Sequence, residues 1–310
     1  MSELKVSTRQ TNNDFIRIFI AATSAEWLPA RVLEFSIREK TNLDVEIQYL
    51  YQSGIEVPVP HDIGNKPRTP FSFQRFLIPE LCKHSGRAIY LDADMQVFHD
   101  ISGLWNQSFS GCDLQTVQEH GKGRKGQFSV MLLDCERLHW DIKHIVDALD
   151  DGELDYSGLM YEMKVASNIG REIDSCWNSL ETFEPEVTSL LHYTDMNTQP
   201  WISLANPLSY LWISCLRRAL SSGYITREEI EREVDFGHVR PSLIAQLATE
   251  IDSTIALPRN IKRLDRRYSA PYKQLNSGPT RPWTSIHRVL YRVIRRGYYS
   301  SPLPRLFLKK

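Results

Sequence analysis

Residues 88–97 read AIYLDADMQV, and two carboxylates, Asp92 and Asp94, interrupt what is otherwise a buried apolar strand. An ionised carboxylate taken out of water is costly unless a cation or a set of donors meets it, and here two stand one residue apart. Such a pair belongs where a strand leaves its sheet, because ligands in α/β sheets bind beyond the carboxyl ends of the strands. The neighbouring segments supply the sheet. IRIFIAAT (16–23), VEIQYLY (45–51) and FSVMLLD (128–134) are apolar or alternating runs that predict strands. RVLEFSIREK (31–40) and FSFQRFLIPELCKH (71–84) suit helices, the second with Pro79 near a boundary. Strand and helix in alternation predict an α/β fold with a mostly parallel sheet flanked by helices.

Composition narrows the class. With 310 residues and 42% hydrophobic content, the chain can bury a substantial core as one large domain with appendages. The amino-terminal MSELKVSTRQTNNDF lacks the apolar segment of a signal peptide, and no run approaches the roughly 18 apolar residues of a spanning helix. Five scattered cysteines with no C-x-x-C pair suggest neither a disulfide framework nor a zinc site, so the expected compartment is cytoplasmic.

The net charge of −1 conceals an asymmetry. From Arg259 onward 14 Lys and Arg face a single acid, a segment charge of +13, which leaves residues 1–258 at −14. Within that tail Ile286, Val289, Leu290, Val293 and Ile294 recur at helical spacing, with Arg288, Arg292, Arg295 and Arg296 on the remaining surface. Trp283, Tyr291, Tyr298 and Tyr299 surround the stripe, so residues 283–310 suit an anionic membrane surface. Docking of the stripe on the body is the alternative. Nucleic acid is disfavoured as a partner by the acidic body and the lack of a reading module.

Carboxylate oxygens favour hard cations such as Mg²⁺ and Mn²⁺, and a metal held by few side chains keeps positions open for a diphosphate. SLLHYTDMNTQPW (189–201) sets His192 directly after another apolar run, and a neutral imidazole ligates Mn²⁺. Asp92, Asp94 and His192 are therefore the candidate metal ligands. Solvated acids at a strand end and a histidine capping a core strand are the bland alternatives.

Taken in order, IFIAAT, TPFSFQRFLIPEL, RAIYLDADMQVFHDISGLW, FSVMLLDCERLHW and HYTDMNTQPW resemble glycosyltransferase family 8, retaining enzymes with the GT-A (Rossmann-like) fold, over about two thirds of the chain. The resemblance implies a catalytic nucleotide-sugar domain over 1–205, with a helical part over 206–258 packed on it; the charge pattern adds a helical, basic, aromatic tail over 259–310. It implies Mn²⁺ (or Mg²⁺) on Asp92, Asp94 and His192, bridging the diphosphate of a UDP-sugar, with Ala93 between the carboxylates also at the donor. Ala21, Ala22 and Thr23 would line the uridine pocket, and Arg75 would reach the donor phosphate or sugar. As a plain helix residue, Arg75 would instead pair with Glu80 or another surface acid. The implied reaction moves a hexose, with retention, to a glycan or lipid-linked acceptor in a setting such as bacterial lipopolysaccharide synthesis. The protein would then sit peripherally on the inner face of the cytoplasmic membrane.

Departures from the family pattern leave other classes open. Gln127 stands where the family often has a sugar-contacting Asn, and Asp155, in LDYSGLMYE, is the substitute for an Asp-Gln element near the reacting carbon. Gln199 replaces the lysine before Pro200-Trp201, which removes a diphosphate counter-charge. Lys122, Arg124 or Lys125 of GKGRKG are candidates to replace it, or form a solvated basic turn. Asp113 and Glu119 are candidate sugar-hydroxyl acceptors, with plain surface acids as the alternative. A UDP-sugar-binding pseudoenzyme and a membrane-associated scaffold remain the competing readings.

Overall fold

The computed structural model describes residues 15–118 and 128–271. Nine strands lie among them: β1 (Ile16–Ala21), β2 (Val45–Tyr49), β3 (Arg87–Asp92), β4 (Met95–Val97), β5 (Leu114–Val117), β6 (Val130–Asp134), β7 (Ile169–Ile173), β8 (Ser179–Leu180) and β9 (Leu190–His192). Six form one sheet in the order β2-β1-β3-β6-β5-β7, and the others form a small sheet ordered β4-β9-β8. In the large sheet only β6 runs antiparallel to its neighbours β3 and β5, so the sheet is mixed and mainly parallel.

Both faces of this sheet are covered, which is why β1 is apolar on both faces from Ile18 to Ala21 rather than alternating. Ile16, Ile18 and Ile20 point to the side where α1 (Trp27–Lys40) contributes Ala30, Leu33 and Ile37. Phe19 and Ala21 point to the other side, against Phe73 and Phe76 of the 71–77 segment, with Ile145 and Leu149 of α4 (Ile142–Asp150) and Leu159 of α5 (Tyr156–Met160) in the same core. Numbered in chain order, the short helices α2 (Ile78–Leu81) and α3 (Ser102–Trp105) precede these two, and α6 (Ser209–Ser221), α7 (Arg227–Phe236), α8 (Ser242–Leu247) and α9 (Arg259–Lys262) follow.

Two expected elements are divided. The run 88–97 is not one strand: β3 ends at Asp92, the chain turns through Ala93 and Asp94, and β4 enters the second sheet. The run 71–84 is not one helix. A 3-10 turn over Gln74–Leu77 leads into the single turn of α2, with Pro79 at its start, and Lys83 and His84 end it at φ +53° and +49°. Pro79 has no N–H to donate back into the preceding turn, and two successive left-handed residues cannot continue a helix.

The carboxyl-terminal helices form a third core on α1. Leu28 and Val32 of α1 meet Trp212, Cys215 and Leu216 of α6, all fully buried, with Ile230 and Leu243 behind them. At about 1.5–3 kcal/mol per large buried apolar side chain, this contact makes α6 integral to the α1 layer. Of the segment expected as a tail, residues 259–271 lie against α8: Asp265 accepts from the Ser242 backbone N–H at 2.7 Å, and the Tyr268 hydroxyl donates to the His238 carbonyl at 3.2 Å. The stretch 283–310, expected to suit a membrane surface, lies outside the described residues. Among the described residues no helix is long and apolar enough to cross a membrane.

Candidate metal and donor site

Backbone pairing on two sides fixes the Asp-Ala-Asp turn. Parallel pairing sets Ala21 of β1 beside Asp92, and the Ala93 N–H donates to the Ala21 carbonyl at 3.1 Å. Beyond the turn, antiparallel β4–β9 pairing sets Met95 opposite His192, and the Tyr193 N–H donates to the Asp94 carbonyl at 2.9 Å. A residue almost a hundred positions away in sequence is thereby brought to the turn. His192 Nε2 stands 3.0 Å from Asp94 Oδ1, and one ligand atom from each of Asp92, Asp94 and His192 lies within 4.8 Å of the others.

The donor set fits a divalent cation. Asn178 Oδ1 can only accept, so at 3.0 Å it draws the proton of the neutral imidazole to Nδ1 and leaves the Nε2 lone pair facing Asp94. Asp94 Oδ1 is buried without a hydrogen-bond partner. Two acceptors 3.0 Å apart repel unless a proton or a metal lies between them.

Asp92 is buried on the other side of the turn. Its Oδ1 accepts from the Tyr90 hydroxyl at 2.6 Å, a contact that the two-residue strand period makes possible. Burial pushes the Asp92 carboxyl above the usual carboxylate range; the Arg75 guanidinium opposes that shift and the Asp94 charge adds to it. Arg75 is only 4% exposed, so it is not the surface partner of Glu80 that the alternative required. Its guanidinium donates to the Ser72 and Phe128 carbonyls, each at 3.0 Å, stacks 4.6 Å from the Tyr90 ring centroid and brings Nη2 to 3.8 Å from Asp92. Phe128 sits at φ +51°, a backbone state costing a bulky residue about 1–3 kcal/mol, and Arg75 holds its carbonyl there.

Gln199 donates from one amide nitrogen to Asp94 Oδ2 at 2.9 Å and to the Tyr193 carbonyl at 3.0 Å. Pro200 and Trp201 behind it are anchored by the fully buried Arg240, whose Nε donates to the Pro200 carbonyl at 2.9 Å and whose backbone N–H donates to the Trp201 carbonyl at 2.8 Å. Ala21 and Ala22 are fully buried beside the turn. The Thr23 N–H and hydroxyl both donate to Glu26 Oε2, at 2.8 and 3.0 Å.

Asp155 and Asp113 make backbone contacts of their own. Asp155 caps α5, accepting from the Gly158 N–H at 2.6 Å. Asp113 is not a surface acid: it is buried, and its Oδ2 accepts from the Ser167 and Asn168 N–H groups at 3.0 and 2.9 Å, so it braces the start of β5. Gln127, Glu119, Lys122, Arg124 and Lys125 fall outside the described residues.

Glu26 and Asn178 escaped sequence reasoning. Burial pushes the Glu26 carboxyl up to about 7, against the Thr23 hydrogen bond, with the charges of Asp94 and Asp92 adding to the rise. A signal for it existed, since TSAE (23–26) has the Thr-x-x-Glu spacing of a capping box. Asn178 had none, because it reaches His192 across the β8–β9 pairing.

Comparison with known proteins yields a family segment and a fold. Residues 63–146 match the model described as Glycosyl transferase family 8, a span holding Arg75, Asp92 and Asp94. Protein CDI of Arabidopsis thaliana is 33% identical over 90 residues, 28% of this chain and 35% of that protein. The crystal structure of the glycosyltransferase GlyE in Streptococcus pneumoniae TIGR4 superposes with a TM-score of 0.51 at 15% identity, over 68% of this chain and 64% of that one. The apo structure of WbbM, titled a bifunctional glycosyltransferase, gives 0.51 at 11% identity over 71% and 51%. The chain thus spans about a third of the curated relative and less than two thirds of either structure. The structural likeness is one of fold, α/β with a mixed, mainly parallel sheet, and it is GT-A-like.

Proposed function

With residues 63–146 a glycosyltransferase family 8 segment, we propose that this chain transfers a hexose from a UDP-sugar to a glycan or lipid-linked acceptor with retention of configuration. The observation that carries the reading is the convergence of Asp92, Asp94 and His192 ligand atoms within 4.8 Å. Mn²⁺ or Mg²⁺ on these three side chains would neutralise the diphosphate leaving group as charge gathers on it.

The remaining work falls to the chain's own residues. Arg75 is already fixed by two carbonyls and the Tyr90 ring, so its positive charge near Asp92 needs no reorganisation when the sugar C1–O bond breaks. Gln199 brings no charge to the donor; it holds Asp94, and Arg240 behind it holds the Pro200–Trp201 backbone. Ala21, Ala22 and Thr23 lie next to the turn, where a uridine would be received. Asp155 and Gln127 remain our candidates for the reacting sugar. Attachment of residues 283–310 to an anionic leaflet is supported by the +13 charge from Arg259 onward, and salt-sensitive sedimentation with anionic vesicles tests it.

The central test is calorimetry of UDP with and without Mn²⁺, followed by UDP release from a panel of UDP-hexoses. Metal-dependent binding with release from at least one donor is expected. Binding without release from any donor would leave the pseudoenzyme, and metal-independent UDP binding would overturn the reading.

A further inference from the structure

Arg68 has no part in the site described above, yet it is held as few surface arginines are. Its guanidinium carbon stands 4.6 Å from the ring centroid of Tyr156 and 5.4 Å from that of Tyr161, and it donates to the Tyr161 hydroxyl. The two rings meet nearly edge to face, 76° apart with centroids 5.8 Å from each other, so they make two walls of a corner. Tyr156 is buried while Arg68 itself is exposed. Three carboxylates in and around α4 and α5 have partners of their own: Asp150 pairs with His61 at 2.7 Å, Asp155 accepts from the Gly158 N–H at 2.6 Å, and Glu162 pairs with Lys164 at 3.2 Å. Among the described residues no carboxylate pairs with Arg68.

An arginine stacked in this way has given up much of its rotamer freedom before any ligand arrives. What it still offers is the planar fork that matches a carboxylate or phosphate bidentately. The corner also adjoins the donor site. The Tyr156 ring packs on Phe73 with centroids 6.4 Å apart, Thr69 and Ser72 share a hydrogen bond of 2.6 Å, and the Ser72 carbonyl accepts from Arg75 at 3.0 Å. One continuous segment therefore runs from exposed Arg68 to buried Arg75 beside Asp92. The buried end belongs to the donor diphosphate, and the exposed end faces what enters from solvent.

We propose that Arg68, clamped by Tyr156 and Tyr161, is an anion-binding subsite that selects an acidic saccharide acceptor, one carrying a carboxylate or a phosphate. Its assignment to the acceptor rests on the glycosyltransferase reading; the anion preference does not.

The test uses the full chain and three probes, methyl glucuronoside, glucose 6-phosphate and methyl glucoside, titrated by ligand-observed NMR alongside UDP with Mn²⁺. At least one acidic probe should bind more tightly than the neutral glycoside, the two acidic arms separating carboxylate from phosphate. Affinity should weaken with salt and fall roughly ten- to a hundredfold in Arg68→Gln, the scale of a lost charged contact. Arg68→Lys, which keeps the charge but not the fork, should fall in between, with the melting temperature of both variants recorded. Equal binding of acidic and neutral probes, no binding of either acidic probe, or unchanged affinity in Arg68→Gln overturns the proposal. UDP binding that persists in that case leaves the glycosyltransferase reading standing. Loss of UDP binding with glucuronoside binding intact removes that reading and leaves the subsite.

Discussion

The side-chain amide of Gln199 donates to Asp94 at 2.9 Å, so the residue standing where the family pattern has a diphosphate-contacting lysine supports a candidate metal ligand instead. A neutral donor suits that place. An ammonium there would compete with a cation for the Asp94 carboxylate, whereas an amide fixes the carboxylate and leaves its charge available. Gln199→Leu should therefore lower Mn²⁺ affinity by about ten- to a hundredfold, the usual scale for outer-shell partners, while the fold persists. Calorimetry with Mn²⁺ alone checks this, and wild-type affinity in the variant would return Gln199 to a purely structural role.

Asp92→Asn and Asp94→Asn should each abolish Mn²⁺-dependent UDP binding and leave the melting temperature of the metal-free chain unchanged or raised. The reason is electrostatic: burial already disfavours the Asp92 charge, and Asp94 repels it across the turn. A drop in melting temperature of many degrees in both variants, measured in chelator, would show the carboxylates to be structural.

Asn178 makes a separate claim. By accepting from Nδ1 it keeps the Asp94-facing nitrogen of His192 unprotonated in the neutral ring, so Asn178→Leu should release the tautomer and weaken Mn²⁺ binding by roughly tenfold. Nitrogen-15 shifts of the ring report the tautomer directly. A ring that stays protonated at Nδ1 in the variant would mean that the pocket, rather than Asn178, sets it.

What the sequence revealed of this molecule tracks how local each feature is. Asp92 and Asp94 were legible because charge inside an apolar strand is a local anomaly, β1 and β6 because strands covered on both faces read as apolar runs, and β2 because its apolar residues alternate with polar ones. The break of 88–97 into two sheets was hidden, since Met95–Val97 is as apolar as what precedes it and only pairing with β9 decides its sheet. Arg75 illustrates the same limit: the resemblance put it at the donor and a plain helix put it on the surface beside Glu80, and only the 3-10 winding of the segment shows its guanidinium turned inward against Tyr90. Asp113 looked like a surface acid because nothing in its neighbourhood announces that two backbone N–H groups more than fifty residues away converge on it. Long-range pairing, not composition, places these groups.

Glu26 carries the last prediction, because its carboxyl is pushed up to about 7 from an ordinary value of 4.5. Between these two pH values the folded chain keeps a proton that the unfolded chain has released, so stability falls as pH rises through that window. Below the window both states are protonated and the contribution is intact; above it the contribution is lost. Glu26→Gln keeps an acceptor for the Thr23 N–H, as a capping box allows, but carries no charge. In chelator the variant should match the wild type near the lower end of the window and gain on it with rising pH, levelling above the upper end at about 1–3 kcal/mol once solvent screening is allowed for. Urea unfolding at several pH values measures the difference. A gain that is flat with pH, or that grows as pH falls, would show that burial does not raise the Glu26 carboxyl in the folded chain.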